Sequence, residues 1–460
     1  MHDYDAIIIG TGQAGPALAA RLSQAGMRLA VIERKFFGGT CVNTGCIPTK
    51  ALVASAYTAH MARRAADFGV TIRGEIAVDM AGVKARKDDI SGRSRAGVES
   101  WVRGLPGCTV IEGHARFTGP HSVAVGGTML RAGRIFINVG GRAAAPPIPG
   151  LEHTPYLTNS GMMELGELPD HLVIIGGSYI GLEFAQMYRR FGSRVSVVEM
   201  APQVIPREDE DISAAVADIL ESEGVALHTG AECIRVSGQT GSIAVTLRRA
   251  DTAREIAGSH LLIATGRRPN TDDLGLEAAG IETDERGYIK VDDQLRTNVE
   301  GVWALGDCNG RGAFTHTAYN DFEIVAANLL DGDPRRVGDR IPAYCLYTDP
   351  PLGRVGMTEA EARRTGKPYL VARRPMTRVG RAVEKGEALG FMKILVDAAD
   401  RRILGAALLG VGCDEVVHAI LTLMYAGAPC DVMQRAMHIH PTVSELLPTM
   451  LGELVPPDVA

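Results

Sequence analysis

Nowhere in the 460 residues does an uninterrupted apolar run approach the ~18–20 residues of a membrane span, which argues against a membrane protein. A basic excess is also missing. Lys and Arg number 48 against 54 Asp and Glu, the net charge is -6 and the pI is near 6.1, so there is no footprint for nucleic acid. The opening residues Met1-His2-Asp3-Tyr4-Asp5 carry acids where a secretory leader carries bases. A cytoplasmic location is expected, where thiols are kept reduced and a disulfide is usually catalytic or regulatory. Zinc-ligand spacing is absent from the eight cysteines, and no metal site is expected. Only Cys41 and Cys46 have a spacing with chemical meaning; Cys108, Cys233, Cys308, Cys345, Cys413 and Cys430 read as small buried apolar residues. What is present is a soluble, globular composition, 46% hydrophobic and 22% charged, with length for about three domains. The one excess is glycine, 54 residues concentrated in motifs rather than linkers.

The stretch Gly38-Gly39-Thr40-Cys41-Val42-Asn43-Thr44-Gly45-Cys46-Ile47-Pro48-Thr49-Lys50 is the centre of the chain. A helix is predicted from Ala51 to Ala65, with Leu52, Val53, Ala56, Tyr57 and Met61 on its apolar side. Cysteines near a helix N-terminus feel partial positive charge, which lowers thiol pKa and favours the thiolate. A pair five residues apart closes a tiny loop, so a disulfide there adds little stabilisation through chain entropy. A structural bridge or two ordinary buried cysteines is the plain alternative to a redox-active pair.

Two nucleotide-binding fingerprints frame that stretch. Ala6-Ile-Ile-Ile9 reads as a buried strand, followed by Gly10-Thr-Gly12-Gln-Ala-Gly15, a helix through Ala25, and a strand from Leu29 to Ile32 ending at Glu33. Glycines in that spacing allow a tight turn and close approach of backbone to a pyrophosphate, and the acid can accept from a ribose hydroxyl. The second copy runs from the strand Leu172 to Ile175 through Gly176-Gly-Ser178-Tyr179-Ile-Gly181, a helix through Arg190 and a strand Arg194 to Val198, ending at Glu199. Ser178 replaces the middle glycine. Glu199 suits a free 2′-hydroxyl and repels a 2′-phosphate, and no arginine follows until Arg207, which favours NADH over NADPH. Two such folds imply two dinucleotides: FAD in the first, before the cysteine pair, and the nicotinamide in the second.

Between them a polar helix is predicted over Val83 to Val102, with short strands at Thr109–Ile111 and Ser122–Val125 and a strand-to-glycine run over Arg134–Arg142. Ala145-Pro-Pro-Ile-Pro-Gly150 marks a domain boundary near 150. Leu261–Asn270, containing Gly266, ends the second domain as Asn138–Arg142 ended the first. Val302-Trp-Ala-Leu-Gly306-Asp307 is a further strand with an acid at its end. From about 341 strands (Phe391–Val396, Ile403–Leu409) mix with helices (Asp414–Tyr425, Val443–Leu451) in an α+β block. The division expected is 1–149, 150–266, 267–340 and 341–460.

These motifs, together with Lys50, Glu183, Ala264-Thr265-Gly266 and His438-Ile439-His440-Pro441-Thr442 followed by Glu445, resemble the class I pyridine-nucleotide–disulfide oxidoreductases over nearly the whole length. That family includes dihydrolipoamide dehydrogenase, glutathione reductase and mercuric reductase. The resemblance implies an α/β fold with two Rossmann-like dinucleotide-binding domains, for FAD and NAD, and a C-terminal α+β dimerisation domain. Residues 1–149 would bind FAD and carry the redox-active disulfide, 150–266 would bind NAD(P)H, 267–340 would complete the FAD site and 341–460 would form the dimer. It places Gly10, Gly12, Gly15, Glu33, Gly39, Thr40, Gly306 and Asp307 at FAD, and Gly176, Ser178, Tyr179, Gly181, Glu199 and Gly266 at NAD(P)H. Cys46 would be the flavin-proximal thiol and Cys41 the thiol that attacks substrate, with Lys50 and Glu183 paired beside the flavin. Tyr179 would lid the nicotinamide pocket. In a homodimer His440, oriented by Glu445, would reach Cys41 of the partner subunit; His316 is expected to be structural.

Departures narrow the branch. Both cysteines are present, unlike soluble transhydrogenases of the family, and Glu199-Met-Ala-Pro202 replaces the basic residues of typical glutathione reductases. Gly39–Asn43 and Tyr347-Thr-Asp-Pro350 are similar to the mercuric-reductase-like branch, but the leader and terminal cysteine pair of established mercuric reductases are not seen. Pro351 stands where dihydrolipoamide dehydrogenases place glutamate. The expected reaction passes electrons from NAD(P)H through flavin and Cys41–Cys46 to a lipoyl-like or small organic disulfide. The alternatives are reduction of Hg(II) or Cu(II), and a non-catalytic redox-sensing flavoprotein.

Overall fold

The computed structural model describes residues 2–250 and 252–459. Its first unit is built on β1 (His2–Ile9), α1 (Ala14–Gln24), β2 (Leu29–Glu33), α2 (Gly39–Asn43), α3 (Cys46–Arg63), α4 (Met80–Arg103) and the strands β3 (Cys108–Glu112), β4 (Ala115–Gly119), β5 (Ser122–Val125) and β6 (Thr128–Ile137). The sheet order is β3-β2-β1-β6-β5-β4, parallel from β3 to β6 and antiparallel beyond. Continuous apolar runs such as Ile7-Ile8-Ile9 suit strands buried on both faces, and all three are buried.

After β7 (Gly141–Ala143) and α5 (Asn159–Met162), the second unit repeats the plan. It has β8 (His171–Ile175), α6 (Tyr179–Phe191), β9 (Arg194–Val198), α7 (Glu210–Ser222) and β10 (Val225–His228). An antiparallel sheet β11 (Glu232–Gln239), β12 (Ser242–Arg249), β13 (Thr252–Gly258) is inserted before β14 (His260–Ile263), which closes the parallel order β10-β9-β8-β14. β15 (Arg267–Pro269) returns the chain to β7, and β16 (Val302–Ala304) pairs with β6 of the first sheet. α8 (Thr315–Ala326) follows.

The last unit is a sheet in the order β17-β18-β21-β20-β19, formed by β17 (Ala343–Leu346), β18 (Leu352–Gly356), β19 (Tyr369–Pro375), β20 (Phe391–Asp397) and β21 (Ile403–Leu409). It carries α9 (Glu359–Arg364), α10 (Gly380–Glu384), α11 (Cys413–Tyr425), α12 (Asp431–Arg435) and α13 (Leu446–Leu451). One apolar core is shared between units: Leu52 and Ala56 of α3 pack with Leu182 and Tyr188 of α6 and with Leu346, Leu352 and Leu409 of the last sheet. Each of these leucines, fully buried, contributes about 1.5–3 kcal/mol.

Several element bounds differ from the sequence reading. The helix expected from Ala51 begins at Cys46, since Pro48 lies in the first turn, where its missing N–H costs nothing. The strand expected over Arg134–Arg142 is split by Gly140, with φ of 65°, into β6 and β7. The helix expected from Val443 starts only at Leu446, which keeps Pro448 in the first turn, where its missing N–H costs nothing. The six other cysteines are not uniformly buried. Cys308, Cys413 and Cys430 are, whereas Cys108, Cys233 and Cys345 are partly exposed, and Cys233 and Cys345 line the large cavity described below.

Candidate active site

Both glycine loops, the cysteine stretch and the Gly306-Asp307 turn open on a single cavity of about 3060 Å³. That is some three times the ~1,000 Å³ upper end of ordinary single-ligand pockets.

The first loop is cut to admit a phosphate backbone. Gly10 has φ of 101°, and a Cβ there would stand 2.3 Å from the Asn138 carbonyl. Asn138, at the end of β6, donates to the Gly10 and Gly12 carbonyls at 3.2 Å each, so the strand end shapes the turn. A Cβ on Gly39 would fall 2.8 Å from Gly12 Cα, so only glycine lets the cysteine stretch lie against the fingerprint loop. Glu33 accepts from the Thr11 N–H and hydroxyl and from the Lys35 N–H, which pins its carboxylate at the end of β2. Asp307 faces the cavity with Arg267 3.6 Å away; burial, partly offset by Arg267, raises its pKa. An acid held in a cleft at such a cost fits a hydroxyl-rich ligand chain. These residues suit FAD.

The second loop has the same construction. Gly176 has φ of 115°, with its Cβ position 2.5 Å from the Ala264 carbonyl. Ser178 lies in extended backbone as the residue before α6, which any side chain can adopt, and this explains the tolerated replacement of glycine. Glu199 accepts from the Gly177 N–H at 2.7 Å and the Ala201 N–H at 2.8 Å, and lines the cavity together with Gly181's helix and Gly266. The set suits a nicotinamide dinucleotide.

Between the loops stands the sulfur chemistry. Cys46 is the first residue of α3 and is exposed to the cavity, with Cys41 in α2 beside it and Thr40 on the cavity wall. The neighbouring Cys41 thiol is the largest cause lowering the Cys46 pKa from 9.0 to about 6. Burial opposes the shift; the Thr315 hydroxyl, 3.2 Å from the sulfur, and the Lys50 charge support it. The same contact, with burial, holds the Cys41 proton firmly in place. Lys50 Nζ lies 2.7 Å from Glu183 and 4.4 Å from the centre of the Tyr347 ring, and the Tyr347 N–H donates to the other Glu183 oxygen at 2.9 Å. The ammonium is thus fixed by one carboxylate and one ring face.

His440 is not brought to this site within the chain. It is 79% exposed, its Nδ1 2.9 Å from Glu445, so the pair is formed and its Nε2 faces outward. Met437 and Ile439 beside it are 99% and 79% exposed, an apolar face without an intrachain partner. His438 Nδ1 contacts the Ala436 carbonyl at 3.1 Å and approaches nothing reactive. His316 stacks on Phe314 and meets the Ala343 carbonyl at 2.7 Å, and burial lowers its pKa. Among the described residues no cluster of three or more His, Cys, Asp or Glu is arranged to hold a metal, and no helix is long and apolar enough to cross a membrane.

Sequence reasoning missed Thr315, Tyr347, Asn138 and Arg267 as parts of the site. Thr315 and Tyr347 stand in stretches already picked out, beside His316 and at the head of Tyr347-Thr-Asp-Pro350, but nothing local connects them with Cys46 and Lys50.

Comparison with known proteins agrees with this geometry. Residues 4–321 match the family model described as pyridine nucleotide-disulphide oxidoreductase, and residues 342–451 match the dimerisation domain of the same family. The chain is 39% identical to the probable pyridine nucleotide-disulfide oxidoreductase RclA of Escherichia coli over 97% of its length and 98% of that protein's. It is 36% identical to a mercuric reductase of Streptomyces lividans, covering 96% and 94%, and 34% identical to a dihydrolipoyl dehydrogenase of Thermus scotoductus, covering 97% and 96%. The solved structure of the HOCl-induced flavoprotein disulfide reductase RclA from Escherichia coli superposes with a TM-score of 0.90 at 37% identity, covering 98% of this chain and all of that one. A Cu(II) complex of that reductase matches with a TM-score of 0.89 at 37% identity over 97% and 99%. The chain belongs to the pyridine nucleotide-disulphide oxidoreductase family, with its FAD-binding and dimerisation domains.

Proposed function

We propose that this family member draws electrons from a nicotinamide coenzyme and delivers them through Cys41 and Cys46 to a small disulfide, lipoyl-type or another small organic one. The observation that carries the reading is geometric: Cys41 and Cys46 line one cavity with both glycine loops, and there Cys46 lies 3.2 Å from the Thr315 hydroxyl, with the Lys50–Glu183 pair, 2.7 Å across, on the same cavity wall. The Gly10–Gly15 loop, Glu33, Gly39, Thr40 and Gly306-Asp307 would hold FAD, which would supply the electron carrier between nicotinamide and sulfur. In the reduced pair Cys46 keeps the negative charge and Cys41 keeps the proton. A base must take that proton before Cys41 can attack. His440 of the partner subunit, with Nδ1 fixed on Glu445, fills this role. Cys41 Sγ then bonds one substrate sulfur and the substrate S–S bond breaks, and the leaving thiolate takes the proton from His440. Cys46 Sγ next attacks Cys41 Sγ, which restores the Cys41–Cys46 disulfide and releases the second substrate sulfur as a thiolate that takes its proton from solvent. Electrons and protons balance at each step.

The Glu199 carboxylate, held toward the cavity by two backbone N–H groups, supports a preference for NADH over NADPH. The reducing cytoplasm suits a pair that cycles. A second reading is favoured by the opening of both sulfurs on the cavity: a soft ion, Hg(II) or Cu(II), bound as substrate by the dithiol. Its relatives include a mercuric reductase and a reductase captured with Cu(II).

One substrate panel decides between them. NADH and NADPH oxidation is followed with lipoamide, oxidised glutathione, cystine, Hg(II) and Cu(II). The disulfide reading expects turnover of a small disulfide that His440→Ala lowers about a hundredfold or more, with NADH-dependent reduction of one-electron dyes kept. Rapid metal reduction unaffected by His440→Ala, with no disulfide turned over, selects the second reading.

A further inference from the structure

One carboxylate outside the sulfur site joins the two halves of the cavity wall. Glu208 lies on the segment that leaves Glu199, and its side chain is fully buried. Its Oε1 accepts from the Tyr344 hydroxyl at 2.6 Å and from the Tyr179 hydroxyl at 3.3 Å. The two rings meet edge to face, 5.4 Å apart. Tyr179 is the first residue of α6 and Glu183 stands four residues later on the same helical face, and both line the cavity. A coenzyme seated at Gly176–Glu199 must therefore pass Tyr179 to bring its reactive end to Glu183, Lys50 and Cys46.

The carboxylate cannot follow the tyrosine if the ring moves. Arg354, 1% exposed, makes no hydrogen bond through any guanidinium nitrogen among the described residues. Its nearest carboxylates are Glu208 Oε2 at 3.9 Å and Asp209 at 4.0 Å. Asp209 is already engaged by Lys393 at 3.0 Å and by the N–H groups of Glu359 and Ala360. Glu208 is thus the free countercharge, and leaving Arg354 without it would strand a buried charge. Tyr344 is anchored as well, stacked on Phe314 at 5.6 Å. The arrangement has one short, fixed partner and one long, releasable partner on a single oxygen.

We propose that Glu208 is a positioning residue that latches Tyr179 across the coenzyme path, and that nicotinamide entry breaks the Tyr179 bond while Tyr344 keeps Glu208 Oε1 hydrogen-bonded. This deepens the proposed function and rests on its placing of the nicotinamide at the second loop. Opening then costs the one long hydrogen bond and leaves Oε1 still bonded to Tyr344.

The test is direct binding of NAD+ to the oxidised, FAD-loaded protein by calorimetry, with melting temperature alongside. Tyr179→Phe keeps the ring and deletes the latch, so Kd falls roughly three- to tenfold. Tyr344→Phe removes the partner that satisfies Glu208 after release, so Kd rises by a similar factor. In the double variant Tyr344→Phe adds nothing, since there is no latch left to strengthen. Shifts of one sign for both tyrosine variants, or Kd unchanged with only the melting temperature lowered, would overturn the latch alone. Absence of nicotinamide binding by the unaltered protein, or binding indifferent to Glu199→Ala, would overturn the site reading and the latch with it.

Discussion

Cys46 shows how much of a residue's chemistry comes from contacts that its neighbours in sequence do not reveal. Its lowered pKa predicts that alkylation of the reduced protein by iodoacetamide accelerates as pH rises through about 6, because the thiolate is the nucleophile and is present above that value. Cys41→Ala deletes the largest contributor and should move the midpoint of this profile up, toward the 9.0 of an unperturbed thiol. Lys50→Met should move it in the same direction by less. A Cys41→Ala profile superimposable on the original would refute the assignment of the proton. The cysteine pair, Glu33 and Glu199 were legible in the sequence because a fixed local spacing points to their chemistry, whereas Lys50 was picked out only by the family resemblance. Thr315 was not, since its contact with Cys46 spans 269 residues. Glu208 stands in the acidic run Glu208-Asp-Glu-Asp211, where nothing in the local sequence marks it, yet it is buried with Arg354 3.9 Å away.

α6 is the element on which the site depends. Tyr179, Glu183, Gln186 and Arg190 recur at steps of three or four, so one helical stripe faces the segment from Tyr344 to Asp349. Along it Tyr179 meets Glu208, Glu183 meets Lys50 and the Tyr347 N–H, Gln186 meets Asp349, and Arg190 meets Glu223 and Asp349 at 2.7 and 2.6 Å. A polar stripe of this kind reads from sequence as solvent-facing, and only the last sheet packed over it makes it interior. Removing one member of a buried, paired set strands the others. Arg190→Met should therefore lose about 3–5 kcal/mol in urea unfolding. It should also lower turnover, because Asp349 sits two residues from Tyr347, whose N–H and ring hold Glu183 and Lys50. A loss below 1 kcal/mol would show that the network is solvated in practice. The helix starts at Cys46 and Leu446 were misplaced in sequence for a related reason: prolines at 48, 441 and 448 give boundary signals whose meaning depends on which side the packing lies.

At the scale of the whole molecule, one chain holds both nucleotide loops and the thiols but leaves His440, Met437 and Ile439 facing outward. A catalytic base supplied across a twofold axis has a specific signature. Cys41→Ser and His440→Ala proteins, each inactive toward disulfide, should regain about a quarter of the original activity when unfolded together and refolded as a mixture, because half the dimers are hybrids with one intact site. No recovery, with hybrids verified by mass, would place the base elsewhere. The polar stripe of α6 has a further bearing on how such proteins can be recombined. The second nucleotide fold looks like a cassette that could be traded between relatives to change coenzyme, but its first helix carries Glu183 and Arg190, and the strand-to-helix loop that follows carries Glu208. All three are answered by residues of other units. A chimaera joined at the ends of that fold would inherit mismatched halves of three buried contacts and should misassemble, whereas grafting only the short loop from Glu199 to Arg207 leaves every one of them intact. The tradable unit is a nine-residue loop, smaller than the domain that displays it.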